Sequence, residues 1–212
     1  MEIRDVILKK NISRRINIIL TICCITFSQL AVCKCNKVEF VTDSGKFVIE
    51  IYPNHAPLTS SNFIKLINEF HYDGLIFHRV IPQFIVQTGG YTFDFTPRHN
   101  QTPPVPNEGN NQLKNVRGSV AMARTSDPHS AQSQFFINIT DNPSLNSSAN
   151  NYGYAVFGKV VDGMSIVDAI AAKKTHNYGI FRDVPIKPIR ILKARETQES
   201  LCDTPTVNAK KM

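Results

Sequence analysis

The sequence predicts a mainly β protein: a closed eight-stranded antiparallel β-barrel whose open ends are capped by two α-helices. Three observations carry this. Eight short runs have the alternating or continuously apolar pattern of strands, and only two stretches have helical spacing. Strand-to-strand links through turn residues dominate the connections. The chain of 212 residues is 42% hydrophobic and holds 13 Phe, enough to fill the interior that eight closed strands enclose.

In chain order, Val38 to Thr42 and Phe47 to Tyr52 read as strands joined at Asp43-Ser44-Gly45, a hairpin turn signal. The second run alternates, with Phe47, Ile49 and Ile51 on one face and Val48, Glu50 and Tyr52 on the other. Pro53 to Pro57 breaks the pattern, and a helix follows over about Leu58 to Phe70. Phe63, Leu66, Ile67 and Phe70 fall at i, i+3, i+4 and i+7, the apolar stripe of a helix laid on a core. Tyr72-Asp73-Gly74 ends it, with Gly74 available for a positive φ.

Leu75 to Val80 and Phe84 to Gln87 are strands. Thr88 to Leu113 is a connection rich in Gly, Pro and Asn, whose length points to a functional or lid-like segment. Val116 to Arg124 and Gln134 to Ile139 are strands, Asp141 to Asn151 a polar Asn/Ser loop, and Tyr154 to Val160 a strand. Met164 to Ala172 is the second helix, with Ile166, Val167 and Ile170 inward. Ile186 to Ala194 is the last strand, with Pro188 early in it.

The chain divides into a leader (residues 1–36), one folded domain (residues 37–195) and a polar tail (residues 196–212) expected to be disordered. In the leader, Lys9, Lys10, Arg14 and Arg15 form a basic n-region before the mostly apolar Ile16 to Val32. Asn17, Thr21, Thr26, Ser28 and Gln29 interrupt that run, which falls short of the roughly 20 clean apolar residues of a spanning helix. It reads as a secretory signal peptide cleaved between about Ala31 and Lys37. A retained membrane anchor and a lipoprotein processed at Cys33 are the alternatives; against the latter, Val32 is large where such a site wants a small residue.

The net charge of +7 misleads about partners. Of 24 Lys+Arg and 17 Asp+Glu, six basic and two acidic residues lie in the leader, leaving 18 against 15. The folded part lacks the basic excess of a nucleic-acid-binding domain. The cysteines, Cys23, Cys24, Cys33, Cys35 and Cys202, all lie outside the folded region, so neither a disulfide framework nor a metal knuckle is built from them.

The chemistry concentrates between Phe77 and Gly90. Arg79 stands among Phe77, His78 and Val80, and Gln87 follows Phe84, Ile85 and Val86. Arg is rarely buried unpaired. If the strand lines a groove, Arg79 can point into it beside an apolar floor, which suits a mostly apolar ligand with one carbonyl to be gripped. Phe135 and Phe136 fall on opposite faces of their strand, one inward and one toward such a groove. The six histidines have no metal-ligand spacing, and His78 reads as a hydrogen-bonded core histidine. Neither a nucleophile elbow, a P-loop nor a dinucleotide fingerprint occurs. Ser126, Ser130 and Ser133 near His129 do not by themselves supply the roles of a hydrolase triad.

Five motifs in one order then resemble the cyclophilin-type peptidyl-prolyl cis-trans isomerases. They are Phe77-His78-Arg79-Val80-Ile81-Pro82, Phe84-x-x-Gln87, Arg117 to Arg124, Ser133-Gln134-Phe135-Phe136-Ile137 and Val156-Phe157-Gly158-Lys159-Val160. The resemblance spans roughly Val38 to Lys193. Met122-Ala123-Arg124-Thr125 and the Asn-rich loop before Tyr154 look like the bacterial, secreted branch, which implies a periplasmic place, or an anchored one facing the periplasm.

By the resemblance, Arg79, Phe84 and Gln87 are catalytic. Arg79 donates to the twisted amide, and Phe84, Ile85, Phe136 and Leu145 wall the proline pocket. Gln87 hydrogen-bonds the peptide backbone and helps orient Arg79, Gln134 belongs to the peptide grip, the backbone at Ala123 and Arg124 pairs with the residue before proline, and Tyr154 closes the pocket. The implied partners are proline-containing polypeptides bound by a monomer, with no cofactor or metal and no nucleic acid. Ile85 stands where relatives often have Met, Ser144 where many have Trp or Phe, and Gln83 and Thr88 where they have Gly; the last two are expected to alter the turn beside Phe84. A binding module without turnover is the reading from a different class, and the intact Arg79, Phe84, Gln87 and Phe136 set argues against it. Asn100, Asn138 and Asn146 lie in N-x-[ST] patterns.

Overall fold

The computed structural model describes residues 37–99 and 102–197; the leader and the chain beyond residue 197 lie outside them. Among the described residues the elements follow as β1 (Lys37–Thr42), β2 (Gly45–Ile51), α1 (Pro57–Asn68), β3 (Arg79–Ile81), β4 (Ile85–Thr88), β5 (Ser119–Met122), β6 (Phe135–Asn138), β7 (Val156–Asp162), α2 (Met164–Ala171), β8 (Thr175–Tyr178), β9 (Phe181–Pro185) and β10 (Ile191–Glu196). Eight strands form one sheet in the order β10-β1-β2-β7-β5-β6-β4-β3, and every pairing in it is antiparallel. The fold is the mainly β, two-helix architecture that the sequence predicts.

Closure is less complete than expected. β3 and β10 share no ladder, and the sheet is a sharply curled one rather than a barrel closed all round. A single bridge, Ile76 to Arg190, spans the seam. It is reinforced where Gly74 N–H donates to the Ile191 carbonyl (2.8 Å), Phe77 N–H to Ile189 (3.0 Å) and Ile191 N–H to Leu75 (2.8 Å). The expected strand Leu75 to Val80 is therefore split: Leu75 and Ile76 make isolated bridges, and only Arg79–Ile81 pairs as β3. The last strand starts at Ile191, not Ile186. Pro188 has no N–H to give a ladder and stays outside it. Glu196, expected in the tail, pairs with Val38.

Each element has a local cause. Gly45 (φ +128) turns the β1–β2 hairpin, where the Thr42 hydroxyl donates to the Gly45 carbonyl at 2.8 Å. α1 opens with Pro57, whose missing N–H costs nothing in the first turn. Ala56 offers no cap, and Glu108 of the long connection accepts from Leu58 N–H (3.1 Å) and Thr59 N–H (2.8 Å) instead. The connection is thus fastened to the domain at that point. α1 ends at Asn68, so Phe70, expected on the buried stripe, is left-handed (φ +56) and 56% exposed under the Arg195 guanidinium, 4.3 Å from its ring.

The interior is aromatic. Phe40, Phe47, Phe63, Tyr72, Phe135 and Phe157 are fully buried. Phe63, on α1, packs its ring 5.0 Å from Phe157 and 5.5 Å from Phe135. The Tyr72 hydroxyl donates to the Ser133 carbonyl at 3.0 Å, which satisfies its polar end inside the core. The sequence reading missed one element, the separate β8–β9 hairpin, because Thr175-His176-Asn177-Tyr178 is polar and mostly exposed.

Candidate active site

One row of side chains crosses the outer face of the sheet. Arg79 on β3 lies opposite Gln87 on β4, Gln87 opposite Phe136 on β6, Phe136 opposite Ala121 on β5, and Ala121 opposite Val156 on β7. Opposed residues on paired strands project to the same side, so a cation, an amide and an apolar floor follow one another along this line. β6 divides its two phenylalanines as expected: Phe135 joins the interior, and Phe136 joins a second cluster with Ile85, Ala121 and Val156. Phe84, Leu113, Ala123, Leu145 and Tyr154 pack around that cluster, and strand register sets Gln87 and then Arg79 beside Phe136 at its edge.

The residues expected to be catalytic or peptide-binding lie on or beside this row. Tyr154 meets Phe136 edge to face at 5.5 Å, and the Arg124 guanidinium covers the Tyr154 ring at 4.6 Å. Arg124 Nε also donates to the Gly153 carbonyl at 3.1 Å. The Gln87 side-chain amide donates to Gln134 Oε1 at 2.9 Å. Ala123 N–H donates to the Gln134 carbonyl at 2.9 Å, which steers the chain out of β5 toward Arg124. Gln87, Gln134, Ala123 and Arg124, with Thr125 and Ser130, border a depression of about 310 Å³ beside the apolar pocket.

Four residues near the pocket escaped the sequence reading. Leu113 comes from the long connection, and Ala121 and Val156 enter through strand register. Asp183 on β9 places Oδ2 3.7 Å from Arg79 Nε. Strand pairing was the signal that would have found Ala121 and Val156; Asp183 arrives from a hairpin with no pattern of its own.

A buried asparagine network holds the pocket walls. Asn142 Nδ2 donates to the Phe84 carbonyl (3.1 Å) and to Asn138 Oδ1 (2.7 Å). Asn138, with no exposed surface, donates to Ser119 Oγ at 2.9 Å and Asn115 Oδ1 at 3.1 Å. Asn115 Nδ2 donates to the Leu145 carbonyl at 3.0 Å. Asn138 is thus enclosed despite its N-x-[ST] setting, and Asn100 lies outside the described residues.

Thr88 departs from expectation. It faces the core, fully buried, and its hydroxyl donates to the Ile76 carbonyl at 2.9 Å, so it does not shape the groove. Gln83 does sit in the turn, in the left-handed region (φ +59) that suits Gly. His78 is buried, as expected of a core histidine, and its ring interacts with the Gln134 side chain while its Nδ1 has no partner among the described residues. Burial, with the neighbouring Arg79 charge, pushes the His78 pKa down to about 4, which keeps the ring neutral. The Arg79 side chain is 40% exposed and presents a guanidinium cation. The arrangement can enclose a small apolar ring and donate N–H groups to an adjacent amide.

The family model for the cyclophilin type peptidyl-prolyl cis-trans isomerases matches residues 37–196. A peptidyl-prolyl cis-trans isomerase of Acinetobacter baylyi is 48% identical over 155 residues, 73% of this chain and 82% of the relative. Peptidyl-prolyl cis-trans isomerase B of Escherichia coli K12 is 45% identical over 157 residues, 73% and 95% of the two chains. A crystal structure of a Cryptosporidium parvum cyclophilin type isomerase, obtained in the presence of the dipeptide Ala-Pro, superposes with a TM-score of 0.63 at 26% identity. That match covers 76% of this chain and 98% of the other. Matched along its whole folded region, with bacterial relatives close to half identical, the chain belongs to the cyclophilin-type peptidyl-prolyl cis-trans isomerases.

Proposed function

We propose that the groove binds X–Pro segments of exported, unfolded or partly folded polypeptides, and that Arg79 stabilises the twisted amide without a covalent intermediate. The single observation that carries this reading is the row Arg79, Gln87, Phe136, which sets a permanent cation two strands from an apolar surface cluster. The X–Pro bond resists rotation by roughly 18–20 kcal/mol because its C–N bond is partly double. Twisting makes the proline nitrogen pyramidal and more electron-rich. A guanidinium N–H aimed at that charge interacts more strongly with the transition state than with either planar isomer, and so lowers the barrier selectively.

In this reading Phe84, Ile85, Phe136 and Leu145 enclose the proline ring and Tyr154 closes over it. Gln87 and Gln134 hold the peptide, and the backbone at Ala123 and Arg124 pairs with the residue before proline. The protein acts as a monomer, needs no cofactor, and assists folding in the periplasm. The basic and then apolar leader supports export. N-terminal sequencing of exported protein should give a free terminus near residues 32–37; a blocked, lipidated Cys33 or an intact Met1 overturns the cleaved-leader reading.

Catalysed exchange of an X–Pro tetrapeptide, followed by NMR, tests the mechanism. Wild-type protein should accelerate exchange well above background. Arg79→Ala should lose about 10²–10³-fold in kcat/KM, the usual loss for one preorganised transition-state donor, with its circular dichroism unchanged. Unchanged activity in Arg79→Ala sinks the mechanism.

A further inference from the structure

The strand that approaches Arg79 from outside the main sheet is β9, and it brings Asp183, whose Oδ2 lies 3.7 Å from Arg79 Nε. Two features mark this pair as more than a chance surface contact. Asp183 adopts the left-handed region (φ +56), which disfavours any residue with a Cβ. It does so at the bulge of the β8–β9 hairpin, between the exposed Arg182 and the buried Val184. The hairpin is also fixed beside β3 by a run of rings. Phe181 meets Tyr91 at 4.9 Å, Tyr91 meets His78 at 4.9 Å, and Phe95 packs on Phe181 at 4.7 Å. His78 is the residue before Arg79, so the hairpin that carries the carboxylate and the strand that carries the guanidinium form one packed unit.

The separation is longer than a hydrogen bond, and both side chains are about 40% exposed (40% and 42%). Such a pair adds little to stability. Its effect is on orientation. Arg79 has a long, rotamer-rich side chain and five N–H donors in a fixed fork. A carboxylate at the Nε edge limits how the fork can turn and leaves donors on the other edge for a substrate amide.

We propose that Asp183 is a positioning residue for Arg79, restraining the guanidinium through its Nε edge so that its remaining N–H groups are held for the twisted X–Pro amide. This rests on the reading of Arg79 as the amide donor. Asp183→Asn is the informative variant, because Asn keeps the side-chain shape and tolerates the left-handed backbone but carries no charge. Exchange of an uncharged X–Pro tetrapeptide should show kcat/KM lower by about three- to fivefold, the scale of an exposed ion pair, with the loss in kcat and KM unchanged. Asp183→Gly, which relaxes the backbone and also removes the carboxylate, should lose the same amount. In an Arg79→Ala background, Asp183→Asn should cause no further loss, because an effect transmitted through Arg79 disappears with it. Wild-type kcat/KM in Asp183→Asn beside an impaired Arg79→Ala overturns the positioning role and leaves Arg79 as the donor. Equal losses from Asp183→Asn with and without Arg79 overturn it as well. Full activity in Arg79→Ala removes the reading on which both rest.

Discussion

Gln83 stands in the turn before β4 and Thr88 ends that strand, and the two differ in physical cost. Thr88 lies in the strand, faces the interior and donates its hydroxyl to Ile76, so its extra atoms are packed and paired. Gln83 is exposed, in a left-handed conformation (φ +59) that its Cβ opposes. That conformation costs an L-residue roughly 1–2 kcal/mol, part of which Gly returns through its freer unfolded chain. Gln83→Gly should therefore stabilise the protein by about 0.5–1 kcal/mol, read as a rise of a few degrees in thermal midpoint. A fall in the midpoint would mean that the Gln83 side chain holds the turn by contacts that outweigh its strain. The sequence identified the unusual residue at each position. It could not assign the cost, because that depends on which of the two ends inside a strand.

At the scale of the element, Asp141 to Asn151 reads in sequence as a polar Asn/Ser loop, and its Asn142 joins Asn115 and Asn138 in a buried brace. Asn142 ties the Phe84 carbonyl to Asn138, and Asn115 ties the Leu145 carbonyl to the same network. Phe84 and Leu145 come from separate parts of the chain and stay on one pocket because these side chains bond their backbones. Asn142→Ala leaves the Asn138 Oδ1 without this donor and the Phe84 carbonyl with only the Ile139 N–H at 2.8 Å. It should cost about 1–3 kcal/mol in urea unfolding, the usual penalty for unsatisfied buried polar groups. The same variant should weaken catalysis through a looser Phe84. A variant as stable as wild type would show that water replaces Asn142 at no cost. Composition makes an Asn-rich segment look like loop, and only the fold shows that its amides point inward.

For the whole molecule, the seam between β3 and β10 lies next to two buried histidines. Burial lowers the pKa of His71, and burial aided by Arg79 takes His78 to about 4. The unfolded chain binds a proton at each ring near 6.5, whereas folding weakens that binding at His71 and shifts it down to about 4 at His78. Between about pH 6.5 and pH 4 the unfolded state holds more protons, so stability rises with pH and is lost as pH falls through that window. From pH 7 to pH 5, His78 alone should account for about 2 kcal/mol of lost stability. His78→Asn should flatten that part of the slope when urea midpoints are measured at both values. An unchanged slope would show that the His78 ring takes up a proton in the folded state.

The sequence by itself determined the strand count of the main sheet, the two helices, the family and the residues that converge on the pocket. These follow from local periodicity and from motifs kept in one order, both of which one chain displays directly. The tertiary structure decided how the sheet closes, since Pro188 displaces β10 and leaves a seam bridged by Ile76 and Arg190. It decided that Ala121 and Val156 share the pocket floor, because register between distant strands places them there. It also decided that Asp183 meets Arg79, more than a hundred residues along the chain. β8 and β9 carry no alternation to betray them; packing of aromatic rings against Tyr91 and β3, which depends on the rest of the fold, holds them in place.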